Sequence, residues 1–392
     1  MKPLPVSRFT VTSALGRGLD AHARALREGR TGLKAGRFPN QTFDAWIGAV
    51  EGLDAVTPPP ALPDWDARAH RLAWLALQQD GLFEAVMAAR ERYGAARIGV
   101  FIGTSTSGIA DTEAAFRARD AAGALPAAYS YVRSQNLFSV AEFARAACGL
   151  QGPALVISTA CSSSAKVFAS ARRAIAQGWC DAALVGGVDT LCLTTLQGFH
   201  ALQLVSPDIC RPADAERRGI SVGEAAGFAL LDPGAEPDLL LLGCGESSDA
   251  HHMSTPEPEG RGAALAMQAA LRDGGLEPEA IDYVNLHGTG TPANDRAEDR
   301  AVCAVFGERT PCSSTKGWTG HTLGAAGIVE AAISLLAIRH GHRPASLNLR
   351  RRDPELRAAI LEAGEDAPVR RVLSNSFGFG GSNCALLFGA AA

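Results

Sequence analysis

The 392-residue chain is poor in lysine: only Lys2, Lys34, Lys166 and Lys316 are present, and arginine carries the rest of its basic charge. It has no basic excess. A formal net charge of -4 argues against a nucleic-acid binder, which needs cations to neutralise phosphates. Its nine cysteines include no C-x-x-C pair, which fits neither a disulfide framework nor a zinc site, so most are expected to be reduced, buried and apolar in character. No apolar run is expected to reach the roughly 18 to 20 residues of a membrane span. The opening MKPLPVSRFT has no apolar h-region, and a cytoplasmic protein without a membrane span is expected.

At 47% apolar and 20% charged residues, the chain can build one or two compact domains. Strand-like runs that end in Gly, Ser or Thr lead into helix-like stretches, as in RIGVFIGTSTSG (97–108) and ALVISTACSSSAKVFASARRAI (154–175). That alternation predicts an α/β protein with functional loops at strand ends. Residues 323–338, LGAAGIVEAAISLLAI, are apolar on nearly every face and predict a helix buried all round, with Glu330 its only charge. The stretch from Asp232 to Asp238 is the expected seam between two units, 1–235 and 236–392.

Four clusters could carry chemistry. In STACSSSA, Cys161 stands between a strand and a helix start, where the helix dipole favours a thiolate and the Cys161 N–H faces a developing oxyanion. In NLHGTGTPAND (285–295), His287 heads a loop whose glycines admit a ligand and whose Thr289 and Thr291 offer it hydroxyls. In SSTKGWTGHTLGAAGIVEA (313–331), Lys316 and His321 precede the buried helix, and Lys316 is the cation of this cluster expected to pair with Glu330; a polar subunit seam or a bound ion would be the alternative partner. In RVLSNSFGFGGSNCALLF (371–388), Phe377 and Phe379 stand between glycines that let a ring swing and a backbone N–H reach a substrate oxygen.

TACSSS, HGTGT, KGWTGH and NSFGFGGSN, in this order on one chain, resemble the β-ketoacyl-[acyl carrier protein] synthases of the elongating type I/II group in the thiolase-like superfamily. LVGGVDT (184–190), SVGEAAGFALL (221–231) and SSDAHHMSTPEPEG (247–260) extend the resemblance over nearly the whole chain. It implies an α/β thiolase-like duplicated fold, with two mixed five-stranded sheets in an α-β-α-β-α arrangement. The first half would carry the nucleophilic cysteine and the second the two histidines.

The resemblance also implies a Cys161, His287 and His321 triad supported by Lys316 and Glu330. An oxyanion hole and gate would come from Cys161, Phe379 and Phe377, and phosphopantetheine contacts from Thr289 and Thr291. Carrier docking would use Arg68, Arg71 and Arg211. The implied reaction is decarboxylative Claisen condensation of an acyl group on Cys161 with malonyl carrier protein, in fatty-acid or polyene/polyketide biosynthesis. No metal and no permanently bound cofactor are implied. The partners would be acyl- and malonyl-loaded acyl carrier protein and a second subunit, as a homodimer or as a heterodimer with a synthase-like chain.

The family pattern R-P-F-D-x-x-R-D-G-F is broken in RPADAERRGISVGEAAG (211–227), where Ala213, Arg218, Ile220 and Ala226 are the odd positions. Two other readings stay open. A chain-length subunit would shape a heterodimer without condensing, although such subunits lack the active cysteine. A thiolase-type acyltransferase would need a second catalytic cysteine where this chain has GFGGSN.

Overall fold

The computed structural model describes residues 2–236 and 238–391; Pro237, inside the expected seam, lies outside the described residues. Ten strands form the frame. They are β1 (Leu4–Ser13), β2 (Ile98–Gly103), β3 (Ala154–Ile157), β4 (Ala182–Asp189), β5 (Ala225–Leu231), β6 (Leu239–Ser248), β7 (Tyr283–Leu286), β8 (Pro311–Ser314), β9 (Arg371–Gly378) and β10 (Ser382–Ala390). The first five pair in the order β1-β5-β4-β2-β3, and the second five in the order β6-β10-β9-β7-β8. The second order is the first with five added to each label, so the duplicated fold is present as a repeated topology.

Each half keeps its parallel strands away from the border with the other half: β3, β2 and β4 run parallel, as do β8, β7 and β9, and antiparallel pairs complete each sheet. One detail differs from two separate sheets. Leu4 and Pro5 of β1 pair with Leu241 and Leu240 of β6, which joins the halves edge to edge. The far edges also differ. A two-residue strand, Ala359–Ile360, covers β8, whereas β3 pairs only with β2 among the described residues and leaves Leu155 exposed.

Helices α1 (Arg68–Leu77) and α2 (Phe138–Ala147) close the outer face of the first sheet, and their Leu72, Leu75, Val140 and Phe143 join one core with Ile98, Val100 and Ile102 of β2. Helices α3 (Ser163–Ala176), α4 (Arg261–Gly274), α5 (Pro292–Phe306) and α6 (Ala326–His340) follow in the chain. The central core includes Val167 and Phe168 of α3, Ile328 and Ile333 of α6, and residues of both sheets. Met267 of α4 and Val302 of α5 cover the second sheet from outside. The layers are therefore helix, sheet, helix, sheet, helix.

All residues of α6 from Ala326 to Ile338 are buried, as the absence of a polar stripe requires. With the 3-10 turn before it, Leu323–His340 makes an 18-residue run apolar and long enough, by composition alone, to cross a membrane. The expectation that no run reaches that length is corrected here. The run forms the core, with 89% of it buried inside the protein. Small residues allow its approach to α3: a Cβ on Gly327 would stand 2.4 Å from the Ala165 nitrogen, and Ile328 N–H donates to Ser164 Oγ at 2.9 Å.

The close approach of α4 to its sheet gives a stability test. A Cβ on Gly245 would lie 1.9 Å from the Ala266 carbonyl oxygen, whereas one on Gly198, inside the Leu193–Ala201 helix, meets nothing within 4 Å. Gly245→Ala is expected to cost about 3 kcal/mol through overpacking. Gly198→Ala is expected to gain about 0.5 to 1 kcal/mol by restricting the unfolded chain. Thermal melts of the two variants should therefore move in opposite directions.

Candidate functional site

The residues singled out at strand ends converge. Cys161 follows β3, His287 follows β7, and His321 follows β8 after the short Lys316–Thr319 helix. All three lie beyond the carboxyl ends of parallel strands, where an α/β sheet opens. The Cys161 Sγ and one ring nitrogen of each histidine lie within 4.8 Å of one another. The two imidazoles meet edge to face, with centroids 5.4 Å apart. These residues line a cavity of about 310 Å³ with Phe199, Leu204, Ile220, Thr289, Thr291, Phe377 and Phe379.

Cys161 is presented by a sharp turn. Ala160 has φ +52°, a left-handed conformation that costs a non-glycine residue about 1 to 2 kcal/mol. Ser163 secures the turn, accepting the Thr159 N–H at 2.9 Å and donating to the Ala160 carbonyl at 2.6 Å.

The expectation of a favoured thiolate is corrected. Burial pushes the Cys161 thiol up from its ordinary 9.0 to about 11, against the opposing pull of Lys316 and of the Phe379 N–H bonded to the sulfur. That displacement is on the order of 3 kcal/mol. It exceeds the roughly 0.3 to 1 kcal/mol that a helix start supplies. The resting residue is a thiol.

Lys316 and Glu330 form the expected pair. The Lys316 ammonium donates to Glu330 Oε1, to the His287 carbonyl and, at 3.2 Å, to His287 Nδ1. An ion-paired ammonium only donates, so its three hydrogens are used and His287 Nδ1 must accept. The neutral ring then carries its hydrogen on Nε2. His321 has the same tautomer for another reason: its Nδ1 accepts the Leu323 N–H at 3.1 Å, with Leu323 held at φ +55°. Burial, and then the Lys316 charge, lower both imidazoles well below 6.5, so both are neutral at pH 7. The site thus contains one thiol and two neutral N–H donors. The same three ligand atoms have a spacing that could gather a metal ion, but the ammonium beside His287 would repel a second cation.

Glu298, Asp189 and Asp249 have positions that sequence reasoning missed. Glu298 of α5 accepts the backbone N–H groups of His287 and Gly288 at 2.8 and 2.7 Å, and burial raises it to about 7. Asp189 at the end of β4 gathers Ser105, Thr106 and Gly324 N–H groups with the Thr104 and Thr106 hydroxyls. Asp249 accepts Asn383 Nδ2 at 2.6 Å and the Glu257 N–H, while its own N–H reaches the Gly381 carbonyl, tying the Phe379 turn to the 249–257 loop. The Asp in LVGGVDT was a signal, and Asp249 stood in a marked segment; Glu298 was hidden among the mixed charges of NDRAEDR.

Phe379 packs edge to face on Phe199 at 5.9 Å, and Phe377 lies against His287 at 6.0 Å. The Thr289 and Thr291 hydroxyls are 2.9 Å apart, and Thr291 also caps α5. The three arginines suggested for docking do not line this cavity. Arg68 is committed to buried Glu224 and to Asp54, and Arg71 makes two 2.7 Å bonds to Asp66. Arg211 is only 6% exposed, so it is not a surface charge: its guanidinium meets the Glu216 carbonyl and Asp214 inside the fold. Among the odd positions, Ile220 lines the cavity, Ala213 takes φ +66°, Arg218 pairs with exposed Asp208, and Ala226 is buried in β5.

Residues 67–236 match the family described as beta-ketoacyl synthase, N-terminal domain, and residues 240–350 match beta-ketoacyl synthase, C-terminal domain. The chain is 42% identical to the mitochondrial 3-oxoacyl-[acyl-carrier-protein] synthase of Arabidopsis thaliana, over 61% of this chain and 57% of that protein. It is 33% identical to 3-oxoacyl-[acyl-carrier-protein] synthase 2 of Vibrio cholerae serotype O1 over 98% of both chains. A ketosynthase (ApeO) from Xenorhabdus doucetiae, solved in complex with its chain length factor (ApeC), superposes with a TM-score of 0.92 at 38% identity, covering 100% of this chain and 98% of that one. The repeated topology, the cysteine with two histidines and the matched sequence agree: this chain belongs to the β-ketoacyl synthase family.

Proposed function

We propose that the chain is a β-ketoacyl-[acyl carrier protein] synthase that joins an acyl group held on Cys161 to malonyl carrier protein with loss of CO2. The observation that supports this most directly is the pair of imidazoles held neutral with Nε2–H directed away from their occupied Nδ1 atoms, within reach of a cysteine. Two donors suit an enolate oxygen, and neutral rings do not quench its carbanion.

In the first half-reaction the Cys161 sulfur attacks the acyl thioester, the carrier thiol leaves with the proton, and the acyl group moves to the enzyme. The N–H groups of Cys161 and Phe379 act as donors to the tetrahedral oxyanion, and Phe379 and Phe377 gate the entrance. In the second, the bond to the malonyl carboxylate breaks and CO2 departs. Its electron pair forms an enolate whose oxygen accepts from His287 and His321. The enolate carbon then attacks the Cys161 thioester, and the sulfur leaves and is reprotonated.

Lys316 and Glu330 fix the His287 tautomer. Thr289 and Thr291 face the phosphopantetheine arm, which brings every acyl group, so the scheme uses no metal or permanent cofactor. Residues 1–235 and 236–392 are the two halves that carry it, the first bringing Cys161 and the second both histidines.

A second subunit is part of this reading, because open β3 leaves backbone groups and Leu155 for pairing. The superposed ketosynthase was solved with a chain length factor, which supports a synthase-like heterodimer partner as an alternative to a second copy. Cys161 disfavours the reading of this chain as the non-condensing subunit. A thiolase-type reaction is disfavoured because Cys161 is the one cysteine lining the cavity among the described residues.

The high Cys161 position predicts how loading depends on pH. A thiol near 11 ionises about tenfold more with each unit of pH below that value. Alkylation of Cys161 by iodoacetamide, read by intact mass, should therefore climb through pH 9. A plateau near pH 7 would show that the helix start prevails over burial.

The two half-reactions should also separate. Cys161→Gln is expected to abolish acyl loading and condensation yet retain malonyl decarboxylation, because both histidine donors remain. His321→Ala should keep some acyl transfer and lose decarboxylation by roughly 10²- to 10³-fold, the effect of one lost oxyanion donor. CO2 release from malonyl carrier protein measures both; robust release by His321→Ala, or none by folded Cys161→Gln, overturns the assignment.

A further inference from the structure

The segment from Cys210 to Ile220 lies before β5, yet many of its polar groups meet residues after β6. Arg217, with a side chain only 2% exposed, stands between two carboxylates: its Nε is 3.1 Å from Asp295 Oδ2 and its Nη1 is 2.7 Å from Asp353 Oδ2. Asp295 Oδ2 also accepts the Ala213 N–H at 3.0 Å, while its Oδ1 accepts the Gly290 N–H at 3.1 Å. From the other side, the Gly219 N–H donates to the Gly290 carbonyl at 3.1 Å.

The Gly290 carbonyl is thus bonded to this segment directly and its N–H to Asp295, which the segment contacts through Ala213 and Arg217, and Gly290 is the residue between Thr289 and Thr291. Its φ of +82° and the short space around it, with Gly219 O at 3.0 Å and Cys210 Sγ at 3.1 Å from a would-be Cβ, leave it little alternative placement. The segment is anchored in turn by Asp214, which accepts the Arg350 and Arg351 N–H groups at 2.8 and 3.1 Å.

We infer that Arg217 is a positioning residue for recognition of the phosphopantetheine arm, acting through Asp295 and Gly290 on the spacing of the Thr289 and Thr291 hydroxyls. This rests on the reading of those two threonines as the arm's contacts. Arg217 places one cation between two buried carboxylates that would otherwise repel each other. Without it, Asp295 must take a proton or find other donors, and either change loosens its hold on the Gly290 N–H. The effect is confined to the arm side of the cavity. The His287 and Gly288 N–H groups are held by Glu298 instead, and the Cys161 turn by Ser163.

Arg217→Gln is expected to raise KM for acyl carrier protein about tenfold or more, with kcat within about threefold, because uniform binding is lost without loss of transition-state donors. Iodoacetamide, which needs no arm, should alkylate Cys161 at the wild-type rate. Arg217→Lys keeps the charge and should recover part of the KM. An unchanged KM in folded Arg217→Gln, or KM, kcat and alkylation all deteriorating together, overturns the inference. If Arg217→Gln does not fold, Arg217→Lys is taken through the same assays, and an unchanged KM again overturns it. Thr289→Val separates the two layers: no change in its KM removes the arm reading itself, whereas a raised KM there beside a wild-type KM for the Arg217 variants removes only the positioning role.

Discussion

The centre of the molecule depends on one buried ammonium. Lys316 is 1% exposed, and a lone charge at such a depth would be too costly to keep. Its three hydrogens are met by three acceptors, and each bond has a different effect. The Glu330 bond supplies the opposite charge and explains how an otherwise apolar core helix accommodates a carboxylate. The His287 carbonyl bond fixes the loop after β7, and the Nδ1 bond selects the tautomer of the ring. Burial raises Glu330 to about 7, with Lys316 opposing that rise.

The same ammonium sets the electrostatics around Cys161 in two opposed senses. It draws the Cys161 thiol downward, but burial is the larger influence and leaves the thiol high. It drives both imidazoles further toward neutrality, in the same direction as burial. A neutral thiol beside neutral rings is a different resting state from a thiolate-imidazolium pair. It leaves the two ring N–H donors free of a neighbouring sulfur anion.

Much of this was legible from local chemistry. A cysteine between a strand and a helix, a histidine heading a glycine loop, and a lone carboxylate in an apolar helix each signal their setting through neighbours in sequence. The repeated sheet order was accessible only through resemblance, because the two halves carry no visible sequence repeat. The resting charge of Cys161 was read wrongly because helix position is local, whereas desolvation depends on everything that closes over the sulfur. The resemblance offered Arg211 as a docking charge, and its burial against Asp214 and the Glu216 carbonyl depends on a fold around it that no local pattern shows. Glu298 and Asp189 act through backbone N–H groups, which have no residue type to recognise, so their partners came into view only with the fold.

The two ends of the joined sheet have unequal finishes. At one end β8 is covered by the two-residue strand Ala359–Ile360, and at the other β3 has no partner on its outer side among the described residues. Long open edges at both ends of a sheet let copies add at both and grow into a filament, and a very short edge strand is one way to blunt such an end. The two-residue strand Ala359–Ile360 blunts its end of the sheet by its shortness, so β3 is the edge better suited to receive a neighbour.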